Sequence, residues 1–320
     1  MRAFQITEFG RTPRIVDVSQ PEPGPGQVLL RIRACGLNFA DLLMIKGTYQ
    51  DIPDLPFAPG MEVAGEISAL GEGVDTFRVG DRVAVFGGHG GLAEYGVYQA
   101  GLCVPLPDDM DFVTGAAFQV AYSTSHVALD YRARLKADET LLVLGAAGGV
   151  GLSAVELGAN MGARVIAAAR GVDKLAVAKD HGAHHLINTE TDDLRAVVKE
   201  LGGADVVYDP VGGELFKAAL RSCNREARIL TIGYASGDIP QIPANHLLVK
   251  NINVIGFYWG GYLTFKPQVL TDSLSTLMEM YSAGQLRPHI SYTLSLERAA
   301  EALELLRSRA STGKVVVTIP

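Results

Sequence analysis

The heptapeptide Gly145–Gly151, GAAGGVG, constrains this chain more than any other stretch. It follows Thr140–Leu144 (TLLVL), an apolar run too short for a helix and suited to a buried strand. It leads into Val150, Ala154, Leu157 and Met161, which recur at helical spacing, with Gly162 as the C-terminal stop. Glycines at 145, 148 and 151, with Gly149 beside them, form G-x-x-G-x-x-G rather than the commoner G-x-G-x-x-G. The physical demand is the same: a strand must turn sharply into a helix, and the backbone must stay bare. Such a turn presents free N–H groups and the positive end of a helix dipole, here around Gly148, Gly149 and Val150, to a pyrophosphate. A βα turn also uses glycine for steric reasons alone, so the context decides.

That context is a series of alternating elements. RVIAA (164–168), HLIN (185–188), ADVVYDP (204–210), RILTIG (228–233) and INVIGFYW (252–259) read as further strands. Helical segments separate most of them, around 172–181, in DDLRAVVKEL (192–201) and from Gly213 to about Ser222. Six strands in this pattern predict an α/β fold, a doubly wound parallel sheet that binds a dinucleotide.

The first third differs. Val28, Leu30, Ile32 and Ala34 alternate with Arg31 and Arg33 after the turn cluster PEPGPG, and VAGEISALGEG and VGDRVAVFGG are further short, glycine-bounded strands. This predicts a compact, irregular β-barrel. A helix (LTDSLSTLMEMYSAG), a connector (QLRPHISYTLSL), an amphipathic helix (ERAAEALELLRSR) and a strand (KVVVTIP) close the chain. The expected organisation is residues 1–120 as one domain, 121–260 as the inserted dinucleotide domain and 261–320 as the return to the first, with the active site in the cleft between them.

Composition removes several classes. Hydrophobic residues make up 48% and charged residues 20%, and the net charge of −7 argues against nucleic acid as a partner. No apolar run is long enough for a membrane span, and the N-terminal segment lacks a signal-peptide core. Cys35, Cys103 and Cys223 are scattered and odd in number, which suits a reducing cytoplasm. His181, His184 and His185 are the only local histidine cluster and read as an exposed group rather than a metal site.

The second strand addresses nucleotide choice. NAD-binding folds place an Asp or Glu near its end to accept the ribose hydroxyl. Here the place holds Ala168, Ala169 and Arg170, with Lys174 four residues on. The missing acid removes a repulsion, and a guanidinium fork suits a 2′-phosphate. The expected cofactor is therefore NADPH.

GAAGGVG, DPVGG (209–213), RACGLNFADLLMIKGTY (33–49) and PGMEVAGEI (59–67), in this order and spacing, resemble the medium-chain dehydrogenase/reductase superfamily. The nearest branch is the zinc-free NADPH:quinone oxidoreductases. The resemblance runs over essentially the whole chain. It implies a Rossmann domain inserted in a GroES-like catalytic domain, and a homodimer; the apolar edge strand INVIGFYW fits the latter. The zinc members' ligand Cys and His positions match Asn38 and Met61, and the third ligand has no equivalent around Phe118–Val120. No metal is expected.

The resemblance also assigns residues. Lys174 and Arg309 match contacts to the 2′-phosphate, whereas the relatives' third-strand Tyr is replaced by Thr189, a loss for which Arg170 is the candidate compensation. Asn38 and Thr124 match positions beside the nicotinamide, and Gly233, Phe257 and Lys314 match further cofactor contacts. Tyr49 matches an active-site tyrosine that donates a proton or orients the acceptor; packing is its alternative role. Tyr258, Trp259 and Tyr262 form either an aromatic wall for a flat acceptor or a core or interface cluster. The expected activity is zinc-independent reduction of a quinone by NADPH. The alternatives are reduction of a conjugated C=C bond in an enone or enoyl thioester, and a non-catalytic NADPH-binding sensor or structural protein.

Overall fold

Strand and helix alternate after residue 140 because short aliphatic runs are punctuated by glycine and by helix starts. In the computed structural model, which describes residues 1–320, these runs are β8 to β13 of the whole chain. The elements before them are β1 (Arg2–Gln5), β2 (Arg14–Asp17), β3 (Gln27–Gly36), α1 (Phe39–Lys46), β4 (Glu62–Leu70), β5 (Arg82–Phe86), β6 (Tyr95–Gln99), β7 (Cys103–Pro105) and α2 (Phe112–His126). Then come β8 (Thr140–Leu144), α3 (Gly149–Asn160), β9 (Arg164–Ala169), α4 (Val172–Asp180), β10 (His185–Asn188) and α5 (Leu194–Glu200). They are followed by β11 (Ala204–Asp209), α6 (Gly213–Ser222), β12 (Cys223–Thr231), α7 (Ala244–Lys250) and β13 (Asn253–Gly256). The remainder is α8 (Tyr262–Phe265), α9 (Gln268–Ser282), β14 (Ile290–Ser295), α10 (Ala299–Arg307) and β15 (Lys314–Thr318).

The chain forms two units, Met1–Val120 with Pro288–Pro320, and Ala121–Arg287. In the second, the sheet order is β10-β9-β8-β11-β12-β13, every pair parallel. The order reverses between β8 and β11, so the loops leaving their carboxyl ends diverge and open a crevice. Alternate residues Leu142, Leu144, Ile166, Ala168, Val207 and Ile229 pack with Leu194 and Val198 of α5 and Phe216 and Leu220 of α6. Each fully buried aliphatic side chain contributes about 1.5–3 kcal/mol, so this face fixes the strand register that aims those loops.

The first unit holds a seven-stranded sheet in the order β14-β15-β3-β4-β5-β7, with β6 also pairing β3. Val28, Leu30, Ile32 and Ala34 are all fully buried, and Arg33 on the opposite side of β3 pairs with Glu66. No helix in the chain is long and apolar enough to cross a membrane.

The second boundary lies at Arg287/Pro288 rather than 260/261. Buried polar contacts explain the shift. Ser273 of α9 bonds Ser123 and His126 of α2, and Trp259 donates to Ser123. The Arg287 N–H donates to buried Glu156, whose other oxygen accepts from Tyr122. Residues 261–287 thus belong with the dinucleotide unit, and the connector after them contains a strand, β14, paired in parallel with β15.

Candidate functional site

The nucleotide part of the site grows from β8, whose five residues are all buried. Gly145 leaves the strand at φ +59°, which favours glycine, and Gly151 closes the back of the turn. A Cβ on Gly151 would sit 2.2 Å from the Gly145 carbonyl oxygen. At Gly148, the N-cap of α3, a Cβ would meet nothing nearer than 3.5 Å, so this side of the turn is open. With no side chain at the cap, no intramolecular acceptor is offered to the first N–H groups of α3 there. Several contacts hold the turn, beginning with the Gly148 N–H, which donates to the Gly145 carbonyl at 3.0 Å. The Ala146 N–H donates to the Ala168 carbonyl at 3.1 Å, and the Ser125 hydroxyl donates to the Val150 carbonyl at 2.8 Å. Ser125 also bonds Ser153 and Tyr208, a buried hydroxyl cluster beneath the first turn of α3.

Neighbouring loops complete this end of the sheet. Val211 of the loop after β11 lies against Gly145, where a Cβ would come within 3.0 Å of it. Asp209 shapes that loop by accepting from the Val211 and Gly212 N–H groups, and burial raises its pKa. Its carbonyl accepts from Gly233 at 3.4 Å. At the end of β9, Ala167, Ala168 and Ala169 are buried and Arg170 is exposed. Gly171, at φ +80°, turns the chain into α4 and places Lys174 in its first turn. The Thr189 N–H donates to the Ala169 carbonyl, so Thr189 lies beside the same strand end. An acid reaches this place after all: Glu190 Oε2 lies 3.9 Å from where a Gly171 Cβ would be.

A second group of expected residues, in the other unit, centres on Asn38. Gly36 brings β3 so close to Ala116 that a Cβ would lie 2.0 Å from its carbonyl oxygen. Asn38 then caps α1, its N–H donating to Asp41 Oδ2 at 2.7 Å, while Asp41 Oδ1 accepts from the Gly60 N–H at 2.9 Å. The Asn38 amide Nδ2 donates to Glu62 Oε1 at 2.9 Å, and its Oδ1 accepts from Lys314 Nζ at 2.8 Å. Lys314 also donates to the Leu37 carbonyl at 2.8 Å and to Glu62 Oε1 at 2.6 Å. Glu62 Oε2 accepts from the Val120 N–H at 2.9 Å. Tyr49 lies half-buried on the loop after α1.

The structure therefore separates the expected residues into groups. Gly148, Gly149, Val150, Arg170, Lys174 and Gly233 lie at the carboxyl end of one parallel sheet. Thr124 is buried in α2, and Arg309 sits at φ +58° in the exposed turn after α10. Lys314 differs from expectation as a cofactor contact, because its three N–H donors are already occupied within the protein. Phe257 packs its ring against Tyr262 at 5.7 Å. Trp259 and Tyr262 are core residues, not a wall: both are buried, and the Tyr262 hydroxyl accepts from Arg132. Only Tyr258 of that trio is exposed. Glu62 and Asp41 were missed, because an acid inside a strand or a first helical turn carries no signal of burial in the sequence.

These side chains do not fit a zinc ion. No three His, Cys, Asp or Glu groups are gathered to hold a metal, and a cation on Asn38 Oδ1 would face the Lys314 ammonium.

Asp41 gives a pH-dependent expectation. Desolvation pushes its pKa up to about 6, opposed by the Asn38 and Gly60 N–H groups and by Lys314. The unfolded value is about 3.9, so the folded state binds the proton more tightly. The stability this group contributes is full below about pH 4 and is lost as pH rises through about 6. The stability gap between wild type and Asp41→Asn should therefore shrink by roughly 2–3 kcal/mol from pH 4 to pH 7. Denaturant unfolding measures it, and a constant gap would contradict the burial argument.

Comparison with known proteins agrees with this layout. Residues 24–108 match the family described as alcohol dehydrogenase GroES-like domain, and residues 149–276 match the one described as zinc-binding dehydrogenase. The chain is 40% identical to a quinone oxidoreductase-like protein 2 homolog of Nematostella vectensis, covering 99% of this chain and 88% of that protein. Among solved structures it is similar to the quinone oxidoreductase of Thermus thermophilus, whose complex with NADPH is also known. That similarity has a TM-score of 0.88 and 34% identity, over 99% of this chain and 100% of the other. The Escherichia coli quinone oxidoreductase complexed with NADPH gives a TM-score of 0.92 at 27% identity, over 99% and 100% of the two chains.

Proposed function

The chain belongs to the medium-chain dehydrogenase/reductase superfamily, in its quinone oxidoreductase branch, and from that premise we propose that it reduces quinones with NADPH and without zinc. The observation that carries this reading is the turn from β8 to α3, closed behind by Gly151 and open at Gly148, beside a second strand that is followed directly by Arg170. The backbone there suits a pyrophosphate, and the adjacent cations suit a 2′-phosphate.

Bound NADPH supplies the hydride. The chain's own residues bind, orient and protonate. Gly149 and Val150 would present N–H groups to the pyrophosphate across the bare Gly148, whose own N–H is held by the Gly145 carbonyl; Arg170 and Lys174 would hold the 2′-phosphate, and Arg309 is assigned to the same group. Thr124, Gly233 and Phe257 are assigned to the cofactor through the resemblance, and Asn38 orients its reactive end. A quinone is electrophilic enough to accept hydride without a Lewis acid, so the Tyr49 phenol needs only to deliver a proton to the reduced oxygen. A second copy of the chain pairing along β13, the edge strand of its sheet, belongs to this reading. So does residence in the cytoplasm, which suits three buried, unbridged cysteines.

Stopped-flow oxidation of NADPH with 9,10-phenanthrenequinone, crotonyl-CoA and an alkenal, side by side, tests the reading. Quinone should be reduced fastest. Tight NADPH binding without oxidation by any acceptor would leave a binding protein and overturn the enzyme. Tyr49→Phe should slow an alkenal more than a quinone, by about 10-fold or more, since general acid catalysis contributes about 10²–10⁴-fold where it is needed. Unchanged rates with both acceptors would make Tyr49 a packing residue.

A further inference from the structure

Lys314 and Glu62 form an ion pair in a dry interior, with side chains 7% and 1% exposed. Stability alone is a poor reason for such a pair, because well-packed apolar side chains of similar size are often as stable. What it supplies is direction. Ammonium and carboxylate flank the Asn38 carboxamide from opposite ends, one on Oδ1 and one on Nδ2. A flipped amide would set its NH₂ against the ammonium and its oxygen against the carboxylate. An ammonium only donates and a carboxylate only accepts, so the pair dictates which way the amide points.

The rest of the network holds the pair itself. All three Lys314 donors are occupied, and both Glu62 oxygens accept, Oε2 from the Val120 N–H. The second Asn38 Nδ2 hydrogen has only a long contact of 3.4 Å, to the Gly36 carbonyl. The Asn38 backbone is fixed separately, through Asp41. Asp41 thus takes part in the α1 capping box with Asn38, while the charged partners of the side chain are Lys314 and Glu62.

We propose that Lys314 and Glu62 are positioning residues that lock the polarity of the Asn38 carboxamide, so that Asn38 meets the reacting end of the bound cofactor or the acceptor with a fixed hydrogen-bonding edge. Neither residue touches the reacting atoms; both act through Asn38. This rests on the assignment of Asn38 to the active site made above, and it reassigns Lys314 from the cofactor to the amide.

A double-mutant cycle in quinone-dependent NADPH oxidation, using Asn38→Ala, Lys314→Met and the double variant, tests it. Lys314→Met should lower kcat on the order of 100-fold, the usual cost of a misplaced catalytic group. NADPH affinity, measured by fluorescence titration, should change less than threefold. With Asn38 already Ala, the Lys314→Met change should leave kcat within threefold of Asn38→Ala alone, because there is no amide left to position. Equal fold losses in both backgrounds would make Lys314 a structural residue only and overturn the proposal. Lys314→Met with Glu62→Gln, which removes both charges, keeps the test open if the single variant folds poorly. It should regain thermal stability while kcat stays low; recovery of kcat to within threefold of wild type also overturns the proposal. Wild-type kcat in Asn38→Ala would instead overturn the prior assignment of Asn38, a result separable from a missing coupling.

Discussion

Gly151→Ala should abolish NADPH binding, raising Kd at least about 100-fold, the loss of two charge-assisted hydrogen bonds at about 1.5–3 kcal/mol each. A Cβ there would lie 2.2 Å from the Gly145 carbonyl oxygen, 2.9 Å from its carbon and 3.1 Å from Ala146 Cα. All three are backbone atoms, so no side-chain rotation relieves the clash. Either the turn opens or α3 retreats, and both move the N–H groups meant for the pyrophosphate. The turn cannot yield freely, because Ala146 is bonded to Ala168 of β9 and Val150 to Ser125 of α2. Gly148→Ala should fold normally, because its Cβ meets no atom closer than 3.5 Å and an alanine at an N-cap costs under about 1 kcal/mol, yet it too should weaken NADPH binding, since that Cβ stands in the open approach to the turn. Isothermal titration with NADPH, with near-ultraviolet circular dichroism to confirm packing, reads the effect. Binding by Gly151→Ala within threefold of wild type would mean that this turn does not hold the pyrophosphate.

The same turn shows what the sequence makes legible. A fully buried strand, glycines that only close approaches require, and a helix of regular spacing are local features, and each stands where the residues put it. Gly213–Ser222 and His185–Asn188 keep their expected limits for the same reason. Helices α1 and α2 leave no clear mark in the sequence, because they are short or largely buried and have small amphipathic contrast: Ala116, Ala117, Phe118, Ala121 and Tyr122 are all buried. The return to the first unit comes later than the sequence predicts, because α9 has an ordinary amphipathic pattern that fits either unit. Its buried Ser273 contacts with Ser123 and His126 show which unit it serves. Asn38 and Tyr49 enter the proposed reaction site through the resemblance alone, and the electrostatics around Asn38 is not legible in the sequence. Glu62 follows Met61 in a β-strand pattern and Lys314 opens another, so their meeting is a property of the β15–β3–β4 neighbourhood, not of either segment.

Arg170→Ala with Lys174→Ala should remove the preference for NADPH, raising its KM on the order of 100-fold, as expected for losing charge-assisted bonds to a phosphate. The KM for NADH should change less than about threefold, because NADH carries no group for these cations to hold. The local geometry makes the effect larger than a loss of two surface charges. The three alanines that end β9 are buried and offer no polar side-chain atom, so the ribose phosphate would meet Arg170 and the first turn of α4. Thr189, beside Ala169, contributes only a short side chain there. Glu190 brings a carboxylate to within 3.9 Å of the Gly171 Cβ position. While Arg170 and Lys174 are present, that carboxylate is outweighed by two cations. In their absence it faces the 2′-phosphate unopposed and turns attraction into repulsion, while the hydroxyl of NADH finds an acceptor. The double variant should therefore favour NADH, and adding Glu190→Gln should restore part of the NADPH affinity without helping NADH. Initial rates with both cofactors at saturating quinone decide the matter. Equal rises in KM for NADPH and NADH would show that Arg170 and Lys174 do not read the phosphate.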